Sequence, residues 1–106
     1  MEAIYLDHAA TTPMHDDVIE IMYKSYPEVF GNPSSVHSFG RKARRHLDEA
    51  RRVMAKSIRA NEKEIIFTSG GTEADNLALI GTALGNREKG NHIITTVQEH
   101  HATLHT

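Results

Sequence analysis

The 106-residue chain contains no cysteine. That removes disulfides, thiolate metal ligands and a cysteine nucleophile from these residues, and it fits a cytosolic protein. Long apolar runs are missing as well. Mean hydropathy is −0.46, no stretch approaches the ~20 apolar residues of a membrane span, and no membrane partner is expected. The opening Met-Glu-Ala-Ile-Tyr-Leu-Asp lacks the basic region and apolar core of a signal peptide. Neither charge sign dominates: 12 basic and 14 acidic residues give a net charge of −2, too balanced for nucleic acid as the main partner. Also absent are the G-x-G-x-x-G dinucleotide fingerprint, the Gly-Lys pair of a P-loop, the His-Glu-x-x-His metal motif, internal repeats and low-complexity tracts. The length suits one small domain.

What is present centres on Ile65-Ile66-Phe67-Thr68-Ser69-Gly70-Gly71-Thr72-Glu73-Ala74-Asp75-Asn76. A short β-favouring run passes through two glycines into a helical segment. The first N–H groups of a helix lack internal partners and carry the positive end of its dipole. Glycines let an anion approach the backbone, and a threonine hydroxyl adds a donor. Ser69 to Thr72 therefore reads as a phosphate cradle. An ordinary strand-to-helix turn, with Thr72 as the cap and Asp75 as the capping-box acid, accounts for the same residues.

Elsewhere the pattern alternates elements and turns. Residues 3–6 suit a short strand. A helix follows with Asp16 and Asp17 in its first turn and Val18, Ile21, Met22 and Tyr26 on a core-facing side, ended by Pro27. Residues 31–38, Gly31-Asn32-Pro33-Ser34-Ser35-Val36-His37-Ser38, are the clearest loop. A long amphipathic helix spans about 38–59, with Ala43, Leu47, Ala50, Val53 or Met54, and Ile58 as its apolar stripe and its basic residues as a solvated face. Residues 64–68 and 92–96 read as strands flanking a helix that carries Ala74, Leu77, Ile80, Gly81 and Leu84. Strand, helix, strand is a βαβ unit and implies an α/β fold with parallel pairing. Ala102 to Thr106 begins something helical without a stop signal. Two parallel strands alone leave faces and edges uncovered, so the expectation is the first part of a larger α/β protein.

Eight histidines are the compositional oddity, and three fall in the last seven residues. Glu99-His100-His101 follows the second expected strand, at the sheet edge where α/β proteins bind ligands. Three readings stand side by side: a histidine acting on a phosphate-bearing ligand, a metal pair of His101 and His105 with Glu99 near, or surface and capping residues.

Four stretches in register carry a family resemblance: Tyr5-Leu6-Asp7-His8-Ala9-Ala10-Thr11-Thr12-Pro13, Gly31 to His37, Thr68 to Asn76, and Glu99-His100. Together they cover essentially the whole chain, and they resemble the start of the NifS/IscS-type cysteine desulfurases, in the class V aminotransferase branch of pyridoxal-phosphate enzymes. The resemblance implies the αβα large domain of fold type I, with a mostly parallel sheet incomplete in this chain. It places 1–15 near the active site and 16–106 in the first part of the large domain. It implies pyridoxal 5'-phosphate as cofactor, its phosphate bound by the Gly71 N–H and the Thr72 hydroxyl. His100 matches the catalytic histidine stacked on the pyridine ring, and no metal is implied. Asn32 and His37 match a loop near the substrate and the dimer contact.

In the family the cofactor supplies an electron sink for a carbanion at the substrate's α-carbon. A mobile cysteine then takes sulfur from L-cysteine as a persulfide, leaving alanine. The sulfur passes to acceptors such as iron–sulfur scaffolds or tRNA-thiolating enzymes, and the enzymes are cytoplasmic homodimers. This chain departs from that pattern in holding no cysteine, no substrate-carboxylate arginine in the family's position, and five lysines of which none sits in the cofactor-lysine motif. The 106 residues alone are therefore expected to be inactive. The rival readings are a selenocysteine lyase or another class V relative, a histidine-based metal module, and a non-catalytic interaction piece.

Overall fold

The computed structural model describes residues 3–106; Met1 and Glu2, which open the expected 1–15 segment, lie outside the described residues. Among the described residues four α-helices follow one another: α1 (Asp16–Ser25), α2 (Ser38–Ser57), α3 (Gly71–Gly85) and α4 (His101–Leu104), with 3₁₀ turns at Glu62–Glu64 and Arg87–Lys89. The chain divides into two compact units, Met1–Glu62 and Lys63–Thr106.

The first unit is built on α2. Its loop, 31–37, folds back on the first helical turn. The Asn32 side-chain oxygen accepts from the Ser34 N–H at 2.8 Å, and the Asn32 carbonyl accepts from the Ser35 N–H at 2.9 Å. His37 is the N-cap, its Nδ1 accepting from the Gly40 N–H at 3.3 Å. The fit is close enough that glycine is required at both ends. A Cβ on Gly40 would stand 2.2 Å from the Ser35 carbonyl oxygen, and one on Gly31 2.4 Å from that of Phe39. The Phe30 and Phe39 rings meet at 5.2 Å, and the Lys42 ammonium reaches the Glu28 carboxylate at 2.9 Å. That hydrogen-bonded cation holds the Glu28 carboxyl below its ordinary value.

The inward face of α2 differs from the expected stripe. Ala43 and Ala55 are buried, and Leu47 and Arg51 are half-buried, which traces the i, i+4, i+8, i+12 row. Ala50, Val53, Met54 and Ile58 face outward. Arg51 belongs to the inner row because its aliphatic stem packs while its guanidinium bonds Asp48 at 3.1 Å. The other charges form the expected solvated face: Arg44 Nε bonds Asp48 at 3.0 Å, and Arg52 pairs with both Glu49 and Glu62. Such exposed pairs contribute about 0–1 kcal/mol each. The helix ends in a Schellman motif. Ala60 N–H bonds the Ala55 carbonyl at 2.9 Å, Arg59 N–H bonds that of Lys56 at 3.3 Å, and Arg59 takes the left-handed φ of 56° between them.

Helix α1 starts and stops as its sequence predicts, with Asp16 and Asp17 in the first turn and the end ahead of Pro27. The expectation of core packing is not met, since no α1 residue is buried. Ahead of α1, the Tyr5 hydroxyl lies 2.8 Å from the Asp7 carbonyl and 3.1 Å from that of Thr11, closing the N-terminal turn.

In the second unit α3 contacts α4, and Ala102 is buried. The strands expected at 3–6, 64–68 and 92–96 do not form; among the described residues there is no strand, and Glu64 belongs to a 3₁₀ turn. A strand exists only through hydrogen bonds to a neighbouring strand, and a parallel pair needs both faces covered. Ile93 is 66 % and Ile94 98 % exposed, so the apolar residues that argued for the 92–96 strand are present but unburied.

Two substitutions test this account of α2. Gly40→Ala forces a methyl into backbone and is expected to destabilise the helix start by about 2–3 kcal/mol. Arg59→Gly relieves the left-handed residue and is expected to stabilise by about 1 kcal/mol. Local opening free energies from amide hydrogen exchange along 41–60 check both signs.

Candidate functional site

Helix α3 begins at Gly71, with Gly70 as an extended N-cap that makes no side-chain capping bond. Thr72 is therefore the second helical residue and Glu73 the third, a shift of two from the register in which Thr72 caps and Asp75 closes a capping box. The acid at the third position is Glu73. Its Oε2 accepts from the Ser69 N–H at 2.6 Å and from the Ser69 hydroxyl at 2.7 Å. Those bonds, the hydroxyl's first, hold the exposed Glu73 carboxyl below its ordinary value. They also engage Ser69, so the cradle narrows from Ser69–Thr72 to the N–H groups of Gly71 and Thr72 and the Thr72 hydroxyl. The space outside the two glycines is open: a Cβ on Gly70 or Gly71 would meet no atom within 4 Å. An anion has both donors and room there.

His100 is the N-cap of α4, its Nδ1 accepting from the Ala102 N–H at 3.1 Å. A neutral ring in that bond carries its proton on Nε2, which leaves Nε2–H as a donor. His100 thus caps α4, and the bond orients its ring.

One side chain ties these two features together. Asn76, one turn into α3, donates from Nδ2 to the Thr72 carbonyl at 2.9 Å and to the Ala102 carbonyl at 3.2 Å. Thr72 and His100, 28 positions apart in sequence, are thus linked through one amide, and Asn76 stands out only in three dimensions. His101 and His105 share one side of α4 as the sequence implied, with parallel rings at 5.2 Å and Nδ1 to Nε2 at 3.1 Å. A metal site needs more donors, and among the described residues no group of three His, Cys, Asp or Glu converges. Glu99 instead lies 3.5 Å from the Thr96 hydroxyl. A cavity of about 910 Å³ borders Asp75, Ile80, Leu84, Ile93, Ile94 and Glu99, but Gly71, Thr72 and His100 do not line it. Its walls combine apolar side chains with the Asp75 and Glu99 carboxyls and the Thr95, Thr96, Thr103 and Thr106 hydroxyls. Asn32 and His37 lie together in the loop of the first unit, with His37 Nδ1 engaged as a cap.

Comparison with known proteins decides the ancestry. The family model for class-V aminotransferases matches residues 4–106. The chain belongs to the class-V aminotransferase family. Among relatives of this family, it is 63 % identical over 106 residues to the putative cysteine desulfurase IscS 1 of Bacillus subtilis, covering 100 % of this chain and 28 % of the relative. It is 54 % identical over 101 residues to the cysteine desulfurase IscS of Dictyoglomus turgidum (95 % and 26 %), and 50 % identical over 105 residues to that of Methanosarcina thermophila (99 % and 26 %). The chain thus spans about a quarter of the length of the curated relatives it matches.

The Glu73–Ser69 contact of this class-V chain has a pH signature. A carboxyl whose folded-state pKa is depressed contributes stability above the ordinary carboxylate range and loses it as pH falls through the lowered value. The Ser69 amide resonance is therefore expected to titrate in acid, below the ordinary Glu value of about 4.3, and to stop doing so in Glu73→Gln. A Ser69 amide that stays flat with pH in the parent chain contradicts the contact.

Proposed function

We propose that these residues are the N-terminal part of a pyridoxal 5'-phosphate-dependent cysteine desulfurase. The full-length protein converts L-cysteine to L-alanine and passes the sulfur on as a persulfide to an iron–sulfur scaffold or a tRNA-thiolating enzyme. In this reading it is a cytoplasmic homodimer. Segment 1–15 lies near the active site, and 16–106 opens the αβα large domain, whose mostly parallel sheet takes in the runs at 64–68 and 92–96.

The observation that carries the reading is the Asn76 link between Thr72 and Ala102. It joins an uncapped, glycine-opened helix terminus to a histidine of fixed orientation. The names of the relatives, cysteine desulfurases at 50–63 % identity, add the reaction class. The residues present suit the cofactor chemically, since a phosphate needs donors and space and the α3 terminus offers both.

Each residue then has its task. The Gly71 N–H and the Thr72 hydroxyl bind the phosphate. His100 holds the pyridine ring, and its Nε2 holds or moves a proton. Asn32 and His37 serve the substrate and dimer side. When bound, pyridoxal phosphate supplies the electron sink for negative charge at the substrate's α-carbon. Persulfide formation falls to a cysteine outside these 106 residues, which contain none.

A hydrogen bond to a charged group contributes about 1.5–3 kcal/mol, so Thr72→Val in the full-length protein is expected to raise the dissociation constant for pyridoxal phosphate by about 10- to 100-fold. Unphosphorylated pyridoxal is expected to bind as before. His100→Ala is expected to weaken both ligands. Equilibrium dialysis of the apoprotein measures all of these, with alanine release from L-cysteine as the activity readout. Unchanged cofactor affinity in Thr72→Val would move the phosphate site elsewhere.

A further inference from the structure

We propose that Asn76 is a positioning residue that sets the spacing between the phosphate end and the ring end of the cofactor site. The inference rests on the reading of Gly71, Thr72 and His100 given above and goes beyond it, because Asn76 touches neither the phosphate donors' hydrogens nor the histidine ring.

A carboxamide nitrogen carries two hydrogens, and here each has its own acceptor: the Thr72 carbonyl at 2.9 Å and the Ala102 carbonyl at 3.2 Å. Both partners are acceptors only, so the amide's orientation is fixed by the contacts themselves. The first bond is local, one helical turn back along α3. The second spans 26 positions of sequence, reaching α4 at the buried Ala102.

The consequences run to both ends of the site. Thr72 carries the hydroxyl assigned to the phosphate. Ala102 donates its own N–H to His100 Nδ1, which orients the ring. Nδ2 of Asn76 therefore sits between the two halves, holding the Thr72 backbone on one side and the residue that orients His100 on the other. A rigid ligand gripped at both ends needs that spacing held, because loosening it costs binding that each grip alone would not lose. A small anion gripped only at the α3 terminus does not need it.

That difference supplies the test. Serine or threonine in a helix bonds the carbonyl one turn back but is too short to reach a neighbouring helix. Asn76→Ser and Asn76→Thr thus keep the local bond and remove the cross-link. In the apo form of the full-length protein, dissociation constants are measured for inorganic phosphate and for pyridoxal 5'-phosphate, with circular dichroism to confirm folding. The expected result is a loss of about 5- to 10-fold for pyridoxal phosphate with inorganic phosphate unchanged within about twofold.

Equal weakening of both ligands would overturn the proposal and make Asn76 a support of the α3 terminus alone. No weakening of either would overturn it by making the cross-link idle. Thr72→Val separates the premise from the inference: if it leaves both ligands unaffected, the cofactor reading falls and this inference with it. If Thr72→Val weakens both while the Asn76 variants weaken neither, only the inference falls. Should both Asn76 variants fail to fold, nuclear magnetic resonance of the parent apoprotein decides. The Asn76 carboxamide protons are expected to respond to pyridoxal phosphate and stay unmoved by inorganic phosphate, and the reverse would overturn the proposal.

Discussion

The first turn of α3 opens with N–H groups that its own chain does not cap, and most of the functional argument depends on that constraint. A helix terminus must satisfy those donors with side chains, water or a ligand. Helices α1, α2 and α4 solve the problem with histidine caps at His15, His37 and His100. At α3 the nearest carboxylate, Glu73, instead turns back to Ser69. The glycines at 70 and 71 keep the approach clear of side chains. The first-turn N–H groups are left accessible, as an anion site requires.

Burial tells a complementary story. Among the described residues the buried apolar positions are Ala43, Ala55 and Ala102, while Ile4, Ile66, Ile93, Ile94 and Val97 face outward. These β-favouring residues stay exposed because no strand pairing forms among the described residues. The helices, by contrast, hold their shape by local means: caps, the Schellman turn at Arg59, the close approach of Gly40 to Ser35, and pairs such as Arg44 with Asp48.

What could be read from the sequence follows the range of the interactions involved. The four helices were legible because periodicity, Pro27 and the glycine pair are local signals. The start of α3 was legible in place but not in register, because Thr72 is a stronger capping residue than Gly70 by composition while the backbone starts the helix at Gly71. The histidine caps at His15 and His37 escaped notice because Ser, Thr, Asp and Asn dominate that position. Arg51 was assigned to the solvent face because its charge hides an apolar stem. Asn76 carries no sequence signal of its role, since an amide bridging two helices leaves no periodic trace. The strands at 64–68 and 92–96 failed for the opposite reason: their composition is right, but pairing is not a property of one segment.

The central claim is that the α3 terminus and His100 form the two ends of one cofactor site. The most direct measurement is an experimental structure of the full-length protein with pyridoxal 5'-phosphate bound. The account predicts phosphate oxygens within hydrogen-bonding distance of the Gly71 N–H and the Thr72 hydroxyl, with the pyridine ring against His100. A phosphate seated away from Gly71 and Thr72, or a ring that His100 does not touch, would contradict it.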